Sequence, residues 1–196
     1  MILIGVTGKA GSGKDTFASH LARNHGFVVR RFADKLKDVV CDVYGWDRSR
    51  IDDLDYKEEI PLVITYSGET RFQCVNHDRV PMSRREVMQH IGSEGFRFCD
   101  SLTWVSVLHR ELTSRAHRKV VIPDVRFLNE AAMISWFEGQ IVRIVKVDGP
   151  GTAHGAHSSE KEMDLIQADH IIRAAHGELE LIQDAASVIA GAMEDA

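Results

Sequence analysis

The sequence predicts an α/β protein in three layers: a central, mostly parallel sheet covered by helices on both faces. Three observations carry this. Short β-branched runs alternate with segments of helical apolar spacing. The first such run ends in a glycine cluster that opens directly into a helix. The 196 residues, 44% hydrophobic and 27% charged, have ordinary globular composition, which excludes disordered, collagen-like and coiled-coil proteins.

In chain order, Met1 to Thr7 is an apolar strand, and Thr16 to Arg23 follows as a helix with Phe17, Leu21 and Ala22 at helical spacing. Val28 to Phe32 suits a second strand. Ala33 to Tyr44 suits a helix with Leu36, Val39, Val40 and Val43 on one side. Residues 47–59 are too charged for a core element, and 62–75 hold two β-like stretches around Ser67-Gly68, so 47–81 reads as an insert containing a hairpin. Ser83 and Glu86 have capping-box spacing and open a helix toward Gly92, and Leu102 to Leu112 is a further helix. Arg84 and Arg85 fall on its solvent face. Lys119 to Ile122 is a buried strand stopped by Pro123-Asp124, Leu128 to Phe137 a helix closed by Gly139, and Ile141 to Val147 another strand. Residues 149–159 read as loop, His170 to Ile172 as a last short strand, and Leu179 to Met193 as an amphipathic helix. No repeat or low-complexity linker interrupts a single domain over 1–196.

A chain this long buries about 70% of its unfolded surface and folds without disulfides, so Cys41, Cys74 and Cys99 read as reduced thiols. No apolar run approaches a membrane span, and Met1 to Val6 is too short for a signal peptide, which predicts a cytoplasmic protein. Net charge is −5, which disfavours nucleic acid as a partner. Residues 1–150 carry 22 basic and 20 acidic side chains, whereas 151–196 carry 2 and 9, so a compact anion belongs on the first part.

The anion site is marked by Gly8-Lys9-Ala10-Gly11-Ser12-Gly13-Lys14, the spacing of a phosphate-binding loop between a strand and a helix. Glycines let backbone N–H groups turn around phosphate oxygens, the helix presents its positive end, and the Lys14 ammonium reaches the β- and γ-phosphates. After Lys14 comes Asp15, and the hydroxyl is delayed to Thr16. Mononucleotide kinases of the adenylate kinase type show the same delay. Thr16 then meets phosphate or holds Mg²⁺ through water. Asp15 either hydrates the metal and orients the acceptor or simply stabilises the helix dipole.

Gly8 to Thr16 as GKAGSGKDT, Phe32 to Lys37 as FADKLK, Gln89 to Arg97 as QHIGSEGFR, Trp104, Pro123 to Glu130 as PDVRFLNE, and His157 to Glu160 as HSSE occur in one order over most of the chain. Together they resemble the bacteriophage deoxynucleoside monophosphate kinases. The resemblance implies a P-loop kinase fold with a lid segment at 148–160, ATP and Mg²⁺ as donor and cofactor, and a deoxynucleoside monophosphate as acceptor. It also implies host cytoplasm for a phage-encoded chain and leaves room for a homodimer. Residues 169–177 depart from the family's base-binding turn, with Arg173, Ala174 and Ala175 in place of an asparagine and glycine turn.

The resemblance makes Asp34, Lys37, Gln89, Arg97, Trp104 and Arg126 acceptor-side residues. Asp34 and Lys37, three apart, alternatively form an intrahelical ion pair. Arg97 either grips the acceptor phosphate or is a surface arginine. Trp104 either stacks on substrate, walling the 2′ side of the sugar, or packs the core. Asp124 ends a strand as the carboxylate that orders Mg²⁺ does in phosphate-loop enzymes, and Arg126 either pairs with phosphate or forms a structural link with Asp124. Lids of the adenylate kinase type carry arginines. Residues 148–160 have none, so Arg143, Lys146 or His157 must supply that charge, beside Ser158 and Glu160. Two rivals remain at this stage: a kinase of a phosphorylated metabolite that is not a nucleotide, and a nucleotide-binding switch without transfer.

Overall fold

The computed structural model describes residues 1–64, 70–72, 82–114, 118–147, 158–175 and 177–195. In chain order the strands are β1 (Ile2–Thr7), β2 (Val28–Val29), β3 (Leu62–Ile64), β4 (Thr70–Phe72), β5 (Lys119–Ile122), β6 (Gln140–Lys146) and β7 (His170–Ala174). The helices are α1 (Lys14–Asn24), α2 (Asp34–Tyr44), α3 (Leu54–Glu58), α4 (Arg84–Gln89), α5 (Arg97–Cys99), α6 (Thr103–Ser114), α7 (Leu128–Trp136), α8 (Ser158–Leu165) and α9 (Leu179–Glu194). A π-helical stretch, His90–Phe96, joins α4 to α5. The chain forms two compact units, Met1–Phe32 with Val105–Ala196, and Ala33–Trp104. Among the described residues no helix is long and apolar enough to cross a membrane.

The first unit is the expected α/β sandwich. Its sheet runs β2-β5-β1-β6-β7, with every pairing parallel. β1 lies in the middle, and its residues from Leu3 to Thr7 are all buried. Ile4 and Val6 point to one face, where they pack with Phe17 and Leu21 of α1 and Ile182, Ala186 and Ile189 of α9. The opposite face belongs to α7: a Cβ on Gly5 would stand 3.0 Å from Ile134. This alternation is what period-2 side-chain placement requires of a strand buried on both faces.

Three elements of this unit differ from expectation. β2 stops at Val29 rather than Phe32, because the backbone N–H of Phe32 turns away to the Asp124 carboxylate. α1 begins two residues early, capped by Gly13 with φ 97°. α8 begins at Ser158, inside the expected loop, with Met163 and the following Ile166 buried. Residues 148–157, most of that expected loop, lie outside the described residues.

In the second unit α2 forms as expected and ends at Gly45, φ 67°. The charged segment expected to hold no core element instead carries α3, with Ile51 fully buried and Tyr56 7% exposed. The hairpin pairs Leu62 with Phe72 and Ile64 with Thr70. Ser67, Gly68 and Cys74 lie outside the described residues. The capping box is formed: Ser83 N–H donates to Glu86 Oε2 at 2.8 Å, and Glu86 N–H to Ser83 Oγ at 3.3 Å.

Two expectations here are corrected. Helical structure runs past Gly92 to Cys99, because this glycine is not a left-handed cap; a Cβ there would lie 2.6 Å from Leu36 Cδ2, so its role is close approach. Arg84 is buried rather than solvent-facing. Its guanidinium lies 3.7 Å over the Tyr56 ring and donates to Tyr56 O at 2.9 Å and Glu59 Oε2 at 2.8 Å.

Candidate active site

Between β1 and α1 the chain turns through Gly8, Gly11 and Gly13, with φ of 148°, 70° and 97°. At Gly8 a Cβ would come within 2.4 Å of the Ile144 carbonyl oxygen, so the loop rests on β6 only as glycine. Lys14 curls back beneath this turn: its Nζ donates to Gly8 O at 2.5 Å and Lys9 O at 2.7 Å, with Ser12 Oγ at 3.5 Å. Ser12 is buried, Thr16 half-buried and Asp15 exposed in the first turn of α1. Ammonium, helix N-terminus and glycine turn thus lie together, which are the parts a phosphate-binding loop combines.

β1 and β5 are neighbours whose following helices take opposite faces, which opens a crevice at their carboxyl ends. Asp124 stands there, immediately after β5, and its Oδ1 accepts from Phe32 N–H at 3.1 Å. Glu130, 2% exposed, accepts from the N–H groups of Arg126 at 2.8 Å and Phe127 at 3.1 Å through Oε2, which fixes the turn that carries the exposed Arg126 side chain. Asp15 is paired with Arg31, Nη2 to Oδ1 at 3.0 Å. Sequence reasoning named neither Glu130 nor Arg31. The signals were present: a glutamate three residues after a turn, and a basic pair at the end of the second strand. Beside Asp15 and Thr16 opens a cavity of about 570 Å³, continued by Ser19 and His20 of α1 and Gln183 of α9.

The electrostatics follow from this packing. Burial, then the neighbouring Arg126 charge, lowers the Lys14 pKa to about 8 against the opposing pull of Asp15 and Asp124. The ammonium therefore loses its proton near pH 8 rather than 10.5. Calorimetric ATP affinity is expected to fall as pH rises from 7 to 9.5, with Lys14→Arg showing a flatter profile. A pH-independent affinity in the unsubstituted protein would contradict the assignment.

In the second unit, Lys37 is 7% exposed and pairs with Asp52 Oδ1 at 2.8 Å and Asp34 Oδ1 at 3.6 Å; Arg48 also reaches Asp34 at 3.7 Å. The intrahelical pair is thus part of a wider ion network. Gln89 is exposed, and Arg97 is half-buried with Nη1 3.4 Å from Ser101 O. Trp104 corrects the substrate-wall expectation. It is 4% exposed, packs edge-on to Phe96 at 5.1 Å, and donates Nε1–H to Gly92 O at 3.1 Å, which makes it a core residue.

Of the lid candidates, His157 lies outside the described residues, and Ser158 and Glu160 begin α8. Lys146 is exposed at the end of β6. Arg143 is corrected to a structural role: it donates to Met163 O at 3.0 Å and Ile166 O at 2.5 Å, satisfying carbonyls at the end of α8.

A protein of Acanthamoeba polyphaga mimivirus, named provisionally as a deoxynucleotide monophosphate kinase, is 30% identical over 187 residues, covering 88% of this chain and 87% of that one. The chain belongs to this kinase family. The likeness is to an amoebal virus protein, so it is not confined to bacteriophages. No family model matches. The chain is also similar to shikimate kinase from Aquifex aeolicus, 14% identical over 97% of each chain with TM-score 0.49. Dephospho-CoA kinase from Campylobacter jejuni is 15% identical over 95% of each, with TM-score 0.45. In this P-loop kinase the residues from Gly8 to Thr16 form the glycine turn and the first residues of α1, and Asp124 and Arg126 follow β5.

Proposed function

We propose that this kinase moves the γ-phosphoryl group of ATP onto a deoxynucleoside monophosphate, giving ADP and the deoxynucleoside diphosphate. The observation that carries the reading is a phosphate loop folded around Lys14, in a chain similar over 88% of its length to a protein named for that activity.

The positive φ of Gly8, Gly11 and Gly13 gives a tight glycine turn of the kind that fits around phosphate oxygens. The Thr16 hydroxyl and the Asp124 carboxylate are hard oxygen donors suited to Mg²⁺, chiefly through water. When bound, that ion supplies neutralisation across the β- and γ-phosphates. Lys14 exchanges the carbonyls of Gly8 and Lys9 for phosphate oxygens, and Arg126 adds a second positive charge. The bond from γ-phosphorus to the bridging oxygen breaks with its electron pair going to ADP, while an acceptor phosphate oxygen forms the new bond. A monophosphate with second pKa about 6 is mostly dianionic at neutral pH, so no residue need remove a proton. Asp15 and Asp124 then organise charge rather than act as bases.

On the acceptor side, Asp34, Lys37, Gln89 and Arg97 carry the resemblance to the family, and Arg97 is assigned to the acceptor phosphate. Arg97→Ala is expected to raise the monophosphate KM by about tenfold or more, with the ATP KM within about twofold. Equal losses for both substrates would return Arg97 to a structural role. The substrate class is tested by competition between matched deoxyribose and ribose monophosphates, read as a ratio of specificity constants. The deoxy form is expected to win, by about a hundredfold at most, because a pocket that offers the 2′-hydroxyl no polar partner rejects that group only weakly. A ratio favouring ribose would remove the deoxynucleotide assignment and leave the kinase.

A further inference from the structure

We propose that Arg31 is a cation of the transfer site, which gives up Asp15 for the transferred phosphoryl group when ATP is bound; the inference rests on the kinase reading and deepens it.

Arg31 sits between two anchored neighbours. Arg30 N–H is held by Val121 O at 3.0 Å, and Phe32 N–H by the Asp124 carboxylate at 3.1 Å. Both anchors belong to β5 or the turn after it, at the crevice that opens beside the phosphate loop. From this position Arg31 reaches Asp15, the residue next to Lys14. A guanidinium is thereby carried to the first turn of α1 by contacts that do not involve any ligand. Arg30 is placed differently, held by Glu111 Oε1 at 2.7 Å and Val29 O at 3.0 Å.

Transfer spreads negative charge over three phosphoryl oxygens, and an arginine at that point is a common source of stabilisation. Arg126 supplies one charge near Lys14, and two expected sources of a further one fall away. Residues 148–160 contain no lysine or arginine. Arg143 is committed to the carbonyls of Met163 and Ile166. The Arg31–Asp15 pair, by contrast, is solvent-screened, with side chains 32% and 79% exposed. Such a pair contributes little, so losing it for a charge-assisted bond to phosphate costs little.

The test compares Arg31→Gln in the native background and in Asp15→Asn, with Arg31→Lys as a conservative control. Two readouts are taken with Mg²⁺ present: kcat with a deoxynucleoside monophosphate, and the ratio of ATP to ADP affinity by calorimetry. Arg31→Gln is expected to lower kcat about a hundredfold and the affinity ratio about tenfold in both backgrounds, with Arg31→Lys in between. If Arg31 only positions Asp15, Arg31→Gln will change neither readout by more than about twofold once Asp15 is already Asn, and the proposal fails. Absence of turnover by the unsubstituted protein with every monophosphate would sink the substrate reading alone. The affinity ratio would then still decide Arg31.

Discussion

Lys14→Ala is expected to lower phosphoryl transfer by about a thousandfold or more while leaving the thermal unfolding midpoint nearly unchanged. The two halves of this result have separate physical causes. The Lys14 ammonium is bonded to the Gly8 and Lys9 carbonyls of the glycine turn, where it would meet the negative charge that grows as the γ-phosphoryl group departs. Its contribution to folding is small, because burial already disfavours its charged form, as the drop in pKa to about 8 shows. The carbonyls of Gly8 and Lys9 can turn to water in its place. Steady-state kinetics and a melting curve on the same preparation check both halves. Near-normal turnover would move the phosphate site elsewhere.

Glu130→Ala is expected to cost about 2–4 kcal/mol of stability in urea denaturation. Glu130 is 2% exposed and accepts two backbone N–H bonds at the start of α7, so truncation takes the acceptor from two part-buried donors. Glu130→Gln keeps an acceptor oxygen and should lose less, about 1 kcal/mol. Activity should fall with stability, because the same contact holds the turn bearing Arg126. A loss below about 0.5 kcal/mol for the alanine variant would mean that those N–H groups find other partners.

The phosphate loop was legible because its chemistry is local: three glycines and a lysine within seven residues dictate both the backbone and the charge it surrounds. β1, β5 and β6 were legible for a related reason, since β-branched runs buried on both faces need no distant partner to be identified. What escaped depends on contacts far apart in sequence. Arg84 looks like a surface cation until the Tyr56 ring, 28 residues away, is placed under it. Arg143 looks available for phosphate until α8 brings two carbonyls to it. Gly92 carried two meanings, helix terminator or close approach, and only the position of Leu36 decides between them. The same contact network resolves Trp104, whose N–H is taken by the Gly92 carbonyl. α3 and α8 were missed because each is anchored by few apolar side chains within a charged segment, too few for a period to stand out.

The central claim is the transfer itself, and product identification tests it most directly. Purified protein is incubated with MgATP and each deoxynucleoside monophosphate in turn, and all nucleotides are resolved by ion-exchange chromatography. The account predicts that ADP and the deoxynucleoside diphosphate appear together, one for one, with ATP stable when no monophosphate is present. Release of ADP without the diphosphate, or binding of ATP with no monophosphate consumed, would contradict it.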